Sequence, residues 1–369
     1  MENMSNSIVN IGDINYLGRI FDKAEKGEPI GIVYLGGSIT QGCNASTEDK
    51  RYVNMSAKWW EEKFPQSKIS FFNAGIGATT SQFACARVEE HVLDKNPDLV
   101  FVEFSVNDED DLFFMETYES LIRRLLKNDS VKAVVMINNL FYDTGTNAQG
   151  VHNAVGLHYK LPIVSVRDYI FPEIYKGGIN LSDYTDDMLH PKDLGHKMIS
   201  DLIINLLETE YTYYKKIGIS GEKPELPTKL TACRFQNAIR YQNTNCVPVL
   251  EGFTADMHIS DYFSDPFKDG WIATSKGDSI TFTAKGNILM LQWKRTVNHP
   301  APVAYAVIDG KEDEKVKLDA NFEETWGDLC CLTTLTENAG EVTHTIKITV
   351  DQEGRQNNSF MLISLITAD

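Results

Sequence analysis

Cysteine and long apolar runs are both scarce in this 369-residue sequence. The six cysteines are scattered, apart from the adjacent Cys330 and Cys331, and they match neither a disulfide framework nor paired CxxC zinc ligands. No apolar run approaches the roughly 18 residues that a membrane-spanning helix requires. Residues 1–6 have neither the basic nor the apolar stretch of a secretory signal. We therefore expect a cytoplasmic protein that acts without a metal, a cofactor or a membrane.

Positive charge is also in short supply. Lys and Arg number 35 against 52 Asp and Glu, which gives a formal net charge of −17 at pH 7. Nucleic acids and anionic membranes require a basic surface, so this balance argues against both as partners. The hydrophobic fraction of 42% is ordinary for a globular protein, and the length suits two domains with separate cores. A neutral substrate fits this composition best.

The first part of the chain, up to about residue 210, alternates short β-rich runs with helical patterns, which is typical of a parallel α/β sheet. The pattern predicts a domain over residues 1–215 with helices between the strands. The predicted strands are 30–35, 69–73, 99–104, 131–137 and 162–166, and the predicted helices are 53–63, 81–93, 112–126, 149–159 and 194–209.

The second part of the chain has a different texture. Glycine and proline recur in residues 216–229, which predicts a linker. Beyond it, short alternating runs are separated by Gly-containing turns, a pattern that predicts an all-β sandwich over 230–369. The clearest of these runs are 279–283, 288–293, 304–308 and 344–350.

Three residues suited to nucleophilic catalysis stand far apart in the first domain. Ser38 follows the strand predicted at 30–35, and Asp187 and His190 form an Asp-x-x-His motif that continues into Pro191. A serine hydroxyl needs a histidine to accept its proton and a carboxylate to orient that histidine. An Asp three residues before a His can fold back onto Nδ1, which leaves Nε2 for the serine. We therefore predict a catalytic triad of Ser38, His190 and Asp187.

Two further blocks, 73–78 and 105–108, also lie at the ends of apolar runs. Open α/β sheets place their ligands at the carboxyl ends of their strands. The tetrahedral intermediate of acyl transfer needs fixed donors to its oxyanion, and a backbone N–H beside the nucleophile and a side-chain amide can supply them. Asn107 is the amide predicted for this role, together with the N–H of Ser38.

The four blocks, in this order, resemble those of the SGNH or GDSL-type hydrolase superfamily over residues 28–210. The resemblance implies a three-layer, flavodoxin-like parallel sheet and places Ala78 at the usual oxyanion glycine, with Gly77 as its nearest substitute. Two positions depart from the family pattern, since Gly37 stands where an Asp usually precedes the serine and Ala78 replaces that glycine. The oxyanion role uses a main-chain N–H, so Ala78 can perform it if its backbone angles permit.

The predicted sandwich resembles a carbohydrate-binding module. The two domains in this order are similar to the intracellular mannan acetylesterases of carbohydrate esterase family 17, whose second domain is of the family 35 type. This resemblance implies removal of O-acetyl groups from acetylated mannooligosaccharides, and it leaves a homo-oligomer open. Because sugars stack on exposed aromatic rings, Trp326, which has polar neighbours, is the predicted substrate-binding residue. Trp271 and Trp293 are expected in the sandwich core.

Two other functions stay open. A hydrolase of this type could act on a different ester, such as a lysophospholipid or an acyl thioester. The chain could also be an inactive sugar-binding homologue, and Gly37 and Ala78 are the only residues that favour this alternative.

Several neighbours of the predicted site need an assignment. Asp186 competes with Asp187 as the orienting acid, although the family spacing selects Asp187. Glu103 and Asp108 either shape the pocket or, as we favour, make ordinary hydrogen bonds. His196 is expected on a helix surface and not as a second base.

Overall fold

A six-stranded sheet organises the first half of the chain in the computed structural model, which describes residues 4–260, 264–340, 342–356 and 358–369. Its strand order is β1-β6-β5-β4-β2-β3, and all neighbours are parallel except β1, which pairs antiparallel with β6. The five strands predicted from the sequence are all present, whereas β1 was not predicted. The strands are β1 (Ile8–Asn10), β2 (Ile30–Gly36), β3 (Ile69–Gly75), β4 (Leu99–Glu103), β5 (Ala133–Asn138) and β6 (Ile163–Ser165).

The order of the five parallel strands is that of a flavodoxin-like sheet. Its switch point is at β2, because β3 lies on one side of β2 and β4, the next strand in the chain, lies on the other side. Helices cover both faces, because right-handed crossovers in opposite directions place helices on opposite sides. The predicted three-layer α/β fold is confirmed. The helices are α1 (Asn15–Glu25), α2 (Ser38–Gln41), α3 (Tyr52–Lys63), α4 (Ser81–His91), α5 (Leu112–Lys127), α6 (Gln149–His158), α7 (Val166–Tyr175) and α8 (Asp193–Ile217).

Central strands of this sheet are buried on both faces, and their sequences are correspondingly apolar throughout. All residues of β4 and β5 are buried, which explains why these runs lack the polar alternation of a half-exposed strand. On one face, α1, α3 and α8 share an aromatic cluster in which the rings of Phe21 and Trp60 stack 5.5 Å apart and Phe64 packs beside both. Burial of these rings fixes the helix layer against the sheet.

The segment predicted as a linker belongs to the first unit. The helix α8 runs through Ile217, and the chain beyond it lies on α5, where the Lys223 ammonium donates to the carbonyl of Asn128 and the N–H groups of Leu230 and Thr231 donate to Glu119. The two compact units therefore divide between Gln236 and Asn237, beyond the predicted boundary at 229. Gly218, with a φ of +71°, ends the helix, and hydrogen bonds to α5 keep the following segment in place.

The second unit contains two antiparallel sheets. One has the order β15-β12-β17-β10-β9, with β7 also paired to β17, and the other has the order β14-β13-β16-β11-β8. Both contribute buried side chains to one hydrophobic core, so they pack face to face as a sandwich. The strands are β7 (Ile239–Tyr241), β8 (Val249–Glu251), β9 (Thr254–Ala255), β10 (Trp271–Ala273), β11 (Ser279–Lys285), β12 (Ile288–Arg295), β13 (Val303–Ile308), β14 (Val316–Asp319), β15 (Leu329–Thr336), β16 (Thr343–Gln352) and β17 (Phe360–Ala368).

Trp271 and Trp293 are buried in this core, as predicted. The strand β16 alternates buried and exposed residues, with Ile346, Ile348 and Val350 pointing inward, which is the period-two pattern read from the sequence. No helix among the described residues is both long and apolar enough to cross a membrane. Residues 1–3, part of the segment in which no secretory signal is expected, lie outside the described residues.

A histidine ties two turns of the sandwich together. His344 Nδ1 lies 2.7 Å from a carboxylate oxygen of Asp309, and Nε2 lies 3.0 Å from the carbonyl oxygen of Gly340. Both partners are acceptors, so the doubly protonated ring satisfies both bonds. The hydrogen bond to Asp309, followed by that to Gly340, raises the pKa of His344 above its ordinary value. This contribution to stability is complete below the unfolded pKa and is lost as the pH rises through the folded pKa.

We expect His344→Gln to lower the melting temperature of the full chain most below about pH 6.5, where an unperturbed histidine is charged. The difference from the wild type should shrink as the pH rises. Thermal melts followed by circular dichroism between pH 5.5 and about pH 9 would measure it, with the exposed His258→Gln as the matched control. A difference that does not change with pH would contradict this account of the His344 bonds.

Candidate active site

The loop after β2 places Ser38 at the start of the short helix α2. Two glycines allow α2 to pack directly on the strand ends. A Cβ on Gly36 would lie 2.1 Å from Thr40 Oγ1, and a Cβ on Gly75 would lie 2.2 Å from the backbone nitrogen of Gln41. Because neither side chain exists, the turn carrying Ser38 lies against the ends of β2 and β3. As the first helical residue, Ser38 has an N–H without an acceptor inside the helix.

The structure brings the three predicted triad residues together. His190 Nε2 lies 2.8 Å from Ser38 Oγ, and His190 Nδ1 lies 2.6 Å from Asp187 Oδ2. Since Nδ1 faces a carboxylate, it carries the proton in the neutral ring, and Nε2 is left to accept from the serine hydroxyl. This is the hydrogen-bond chain that an activated serine requires.

Asp187 stays ionised because several N–H groups point at its carboxylate. Partial burial opposes its charge, but the hydrogen bond with the His190 ring and the backbone N–H groups of His190 and Leu189 outweigh that effect and lower the pKa of Asp187 to about 2. The two backbone N–H groups donate to Oδ1 over 2.7 and 3.0 Å, while Oδ2 faces the ring. The carboxylate is therefore both oriented and charged at any ordinary pH.

The turn that carries Asp187 and His190 is fixed by its neighbours. Met188 has a φ of +62°, and its carbonyl accepts from the backbone N–H of Tyr142 over 2.8 Å. Asp186, the competing acid, pairs with the Lys192 ammonium at 2.9 Å and does not contact the histidine ring. The spacing argument that selected Asp187 agrees with this geometry.

The loop after β3 distinguishes between the two backbone donors suggested by the sequence. Gly77 lies beside the serine, but its N–H donates to Gln41 Oε1 over 2.9 Å. Ala78 has a φ of +54°, and within the described part of the chain no acceptor takes its N–H. Ala78 is therefore the better oxyanion donor of the two, with Gln41 holding the loop beside it.

Asn107 lies against the nucleophile turn from the other side. A Cβ on Gly37 would stand 2.2 Å from Asn107 Oδ1, so a side chain at position 37 would displace the amide. The usual Asp of the family pattern could stand at position 37 only if the Asn107 amide moved. The glycine at 37 therefore fits this placement of Asn107.

A family model described as the GDSL-like lipase/acylhydrolase family matches residues 34–198. A solved structure of a two-domain esterase active on acetylated mannans is 39% identical, has a TM-score of 0.95, and the match covers 100% of this chain and 98% of that one. A structure of a two-domain esterase of the same description, co-crystallised with mannopentaose, is also 39% identical, with the same coverage and a TM-score of 0.93. The chain belongs to the GDSL-like lipase/acylhydrolase family. No curated protein matches it.

Membership of this GDSL family makes the chain a carboxylic ester hydrolase. The four sequence blocks that carry the resemblance meet over the carboxyl ends of the neighbouring parallel strands β3, β2 and β4. These are the strands on either side of the switch point, where open α/β sheets bind their ligands.

The block with Asn107 is anchored by Asp108. One carboxylate oxygen of Asp108 accepts from the N–H of Ser81 over 2.9 Å, and the other lies 3.0 Å from His152 Nε2. His152 is fully buried and stacks on the Tyr118 ring, with centroids 3.7 Å apart. Asp108 therefore links the Asn107 turn to the first residue of α4, just after Ala78. His152 does not stand out in the sequence, because one histidine in a helical pattern looks ordinary.

Glu103 makes hydrogen bonds beneath the site and does not reach the triad in this geometry. One carboxylate oxygen lies 3.2 Å from both the N–H and the Oγ of Ser105. Burial raises the pKa of Glu103 to about 7, although hydrogen bonds from Asn139 and Ser105 oppose the rise. A buried carboxyl group with a pKa near neutral pH therefore lies beneath the GDSL-family site.

The expectation that His196 lies on the surface of a helix is wrong. It is fully buried at the start of α8, because the chain between α2 and α3 covers this turn. The N–H of Tyr52 points at Nδ1 over 3.4 Å, and Nε2 lies 3.1 Å from the carbonyl oxygen of Cys43. Burial, the largest influence, lowers the pKa of His196. These bonds make it a fixed neutral histidine and not a second base.

The left-handed backbone of Ala78 gives a test of its role in the GDSL-family site. Ala78→Gly keeps the N–H and removes the Cβ, whose steric strain in this region of φ and ψ costs roughly 1–2 kcal/mol. The greater conformational freedom of glycine in the unfolded chain offsets part of this gain in stability. We expect ester hydrolysis within about twofold of the wild type and a free energy of unfolding up to about 1 kcal/mol higher. Urea denaturation and aryl acetate kinetics would measure both.

The control is Cys233→Gly, which changes another residue with positive φ far along the chain. A loss of more than about tenfold in hydrolysis for Ala78→Gly alone would show that the methyl group matters, and would contradict a role confined to the main-chain N–H.

Proposed function

We propose that this chain removes O-acetyl groups from acetylated mannooligosaccharides through an acetyl-enzyme. The observation that carries the substrate is the full-length likeness to an esterase active on acetylated mannans, at 39% identity. The geometry around Ser38 supports the reaction type. The net charge of −17 suits a neutral sugar ester.

In the first half of the reaction Ser38 Oγ attacks the acetyl carbonyl carbon and its proton passes to His190 Nε2. Asp187, bonded to Nδ1–H, stabilises the imidazolium that forms. The carbonyl oxygen becomes an oxyanion that accepts from the N–H groups of Ser38 and Ala78 and from the amide of Asn107. When the intermediate collapses, His190 returns its proton to the departing sugar oxygen. Ser38 is left as an acetyl ester.

In the second half a water molecule replaces the sugar. His190 Nε2 accepts a proton from the water as the water oxygen attacks the acetyl carbon, and the same donors hold the second oxyanion. Collapse returns the proton to Ser38 Oγ and releases acetate. The acid-base group is the same histidine in both halves, so its bond to Asp187 serves each step.

The second unit is proposed to bind the sugar chain through Trp326. Trp326 is 51% exposed and lies on a segment between β14 and β15. The Trp326 ring meets the Phe322 ring edge to face, with centroids 5.0 Å apart. The Arg295 guanidinium in turn lies 5.2 Å from the centroid of the Phe322 ring. A ring that is exposed but supported from behind can stack on a sugar face at little entropic cost.

The segment 296–302 supports the Trp326 loop. The N–H of Phe322 donates to the carbonyl of Thr296 over 3.0 Å, and His299 Nε2 lies 3.0 Å from the carbonyl oxygen of Phe322. These bonds hold the base of the loop in one position, which favours a preformed binding surface.

Ser38→Ala is expected to reduce acetate release by about 10⁴-fold or more, because no other group can form the acyl-enzyme. Asn107→Ala should reduce kcat by roughly 10²–10³, the usual loss for one oxyanion donor. Acetate released from acetylated mannooligosaccharide and from an aryl acetate would be measured for both variants.

Thermal melts must show that both variants fold, since each residue packs in a tight turn. Near-normal acetate release by folded Ser38→Ala would end the assignment of the nucleophile. Comparison of acetyl with long-chain esters of the same alcohol tests the substrate, because a preference for long chains would favour a lipid ester instead.

Trp326→Ala should raise KM for the acetylated oligosaccharide roughly 3- to 10-fold, as expected for about 0.5–1.5 kcal/mol of aromatic contact. Hydrolysis of the aryl acetate should not change. Tyr175→Ala is the matched control, since Tyr175 is an exposed aromatic residue of the first unit. Equal losses on both substrates, or no loss on either, would remove Trp326 from a sugar-binding role.

A further inference from the structure

A cavity of about 620 Å³, with several polar and charged side chains in its lining, lies over the carboxyl ends of the strands, where the triad residues also lie. Its walls come from the segments that follow β4 and β5, together with Asn153 of α6 and Arg167 in the first turn of α7. Ser105 and Asp108, which flank the oxyanion residue Asn107, belong to one wall. We call this space the β5 cavity.

The strand order locates the β5 cavity relative to the triad. The catalytic groups stand over β3, β2 and β4, and the cavity stands over β4, β5 and β6, which continue the same edge. Neighbouring strands are about 4.8 Å apart, so the middle of the cavity, over β5, lies roughly 10 Å from the serine along the sheet. This separation suits a chain substrate that crosses both places. A small ester would reach only the first.

The walls of the β5 cavity are held in place by hydrogen bonds. The N–H of Ala148 donates to the carbonyl of Ser105 over 2.7 Å, and the N–H of Val151 donates to Asp110 over 2.8 Å. Gly150 lets that carboxylate approach, since a Cβ there would lie 2.6 Å from its oxygens. A cavity with fixed walls binds its ligand without first having to be ordered.

The charged groups of the cavity point to a neutral ligand rich in hydroxyl groups. Glu109 and Asp110 are exposed, and Arg167 is partly buried. Within the described part of the chain, no acceptor takes a hydrogen bond from the Arg167 guanidinium. With Asp108 the lining holds three carboxylates against the single guanidinium, which disfavours an anion. A carboxylate accepts hydrogen bonds from sugar hydroxyls. A guanidinium donates hydrogen bonds to hydroxyl oxygens, often through two N–H groups at once.

We propose that the β5 cavity is a subsite for a mannose residue next to the acetylated one, with Arg167 and Glu109 as its specificity residues. This inference rests on the proposed function. Arg167 donates to the hydroxyl oxygens of the bound ring, and Glu109 accepts from its hydroxyl hydrogens. The subsite explains how an enzyme with an open triad selects an oligosaccharide over a simple acetate ester.

Arg167→Ala and Glu109→Gln test the subsite by kinetics. Arg167→Ala should raise KM for an acetylated mannopentaose about tenfold or more, with kcat close to the wild type, because the lost bonds are made by bound substrate and transition state alike. Arg167→Lys should recover part of the loss, and Glu109→Gln should show a smaller one. Hydrolysis of an aryl acetate should stay within twofold for all three. Arg124→Ala, at a surface ion pair with Glu89, is the matched control.

A binding experiment separates this inference from the proposed function. Calorimetric titration with unacetylated mannopentaose should show about tenfold weaker binding to Arg167→Ala than to the wild type. If the wild type hydrolyses aryl acetate but no acetylated mannan, the proposed function fails, and Arg167-dependent mannopentaose binding would still support the subsite. Unchanged KM and unchanged binding in Arg167→Ala, or equal losses on mannopentaose acetate and aryl acetate, would overturn it.

Discussion

The close contact between the turn of Ser38 and the ends of β2 and β3 is the constraint on which the site depends. It exists because Gly36 and Gly75 have no side chains, and a Cβ at either would meet atoms of α2 at little more than 2 Å. This contact fixes the height of the serine above the sheet, and therefore the distance that the Asp187 turn must span. The absence of a side chain at Gly37 leaves room for the Asn107 amide in its present position. The positions of the proposed triad and oxyanion donors thus depend on backbone packing as well as on the hydrogen bonds between them.

The pKa values of two carboxyl groups near the site shift in opposite directions, and the surroundings of each group explain its shift. Asp187 is partly exposed and receives three N–H groups, and its pKa falls to about 2. Glu103 is fully buried beneath the nucleophile turn, and the cost of removing a charge from water raises its pKa to about 7. The first must be charged to stabilise the imidazolium of His190. The second touches Ser105 and not the triad, so its protonation changes local hydrogen bonding without removing the orienting charge.

The order of the motifs and their positions at strand ends were enough to predict that Ser38, Asp187 and His190 lie together, since each has a side chain suited to acyl transfer in a recognisable spacing. It could not decide between Gly77 and Ala78, because that choice depends on a hydrogen bond to Gln41, whose side chain belongs to no motif. His196 was placed on the wrong side of its helix, because apolar periodicity does not show that a loop covers the first turn. The predicted boundary at residue 229 lies before the division between Gln236 and Asn237. The hydrogen bonds that hold residues 218–236 on α5 join residues about a hundred positions apart, so they produce no local pattern in the sequence.

The segment after β4 is shared by the chemistry and by the β5 cavity. Asn107 faces the nucleophile turn, while its neighbours Ser105 and Asp108 line the cavity and bond to other elements. A sugar bound in the cavity would therefore press on the same segment that holds the oxyanion donor. Contacts to that sugar are made in the bound substrate and in the transition state alike, so they lower KM and leave kcat nearly unchanged. Substrates too short to reach the cavity would lack these contacts, so chain length would act on KM.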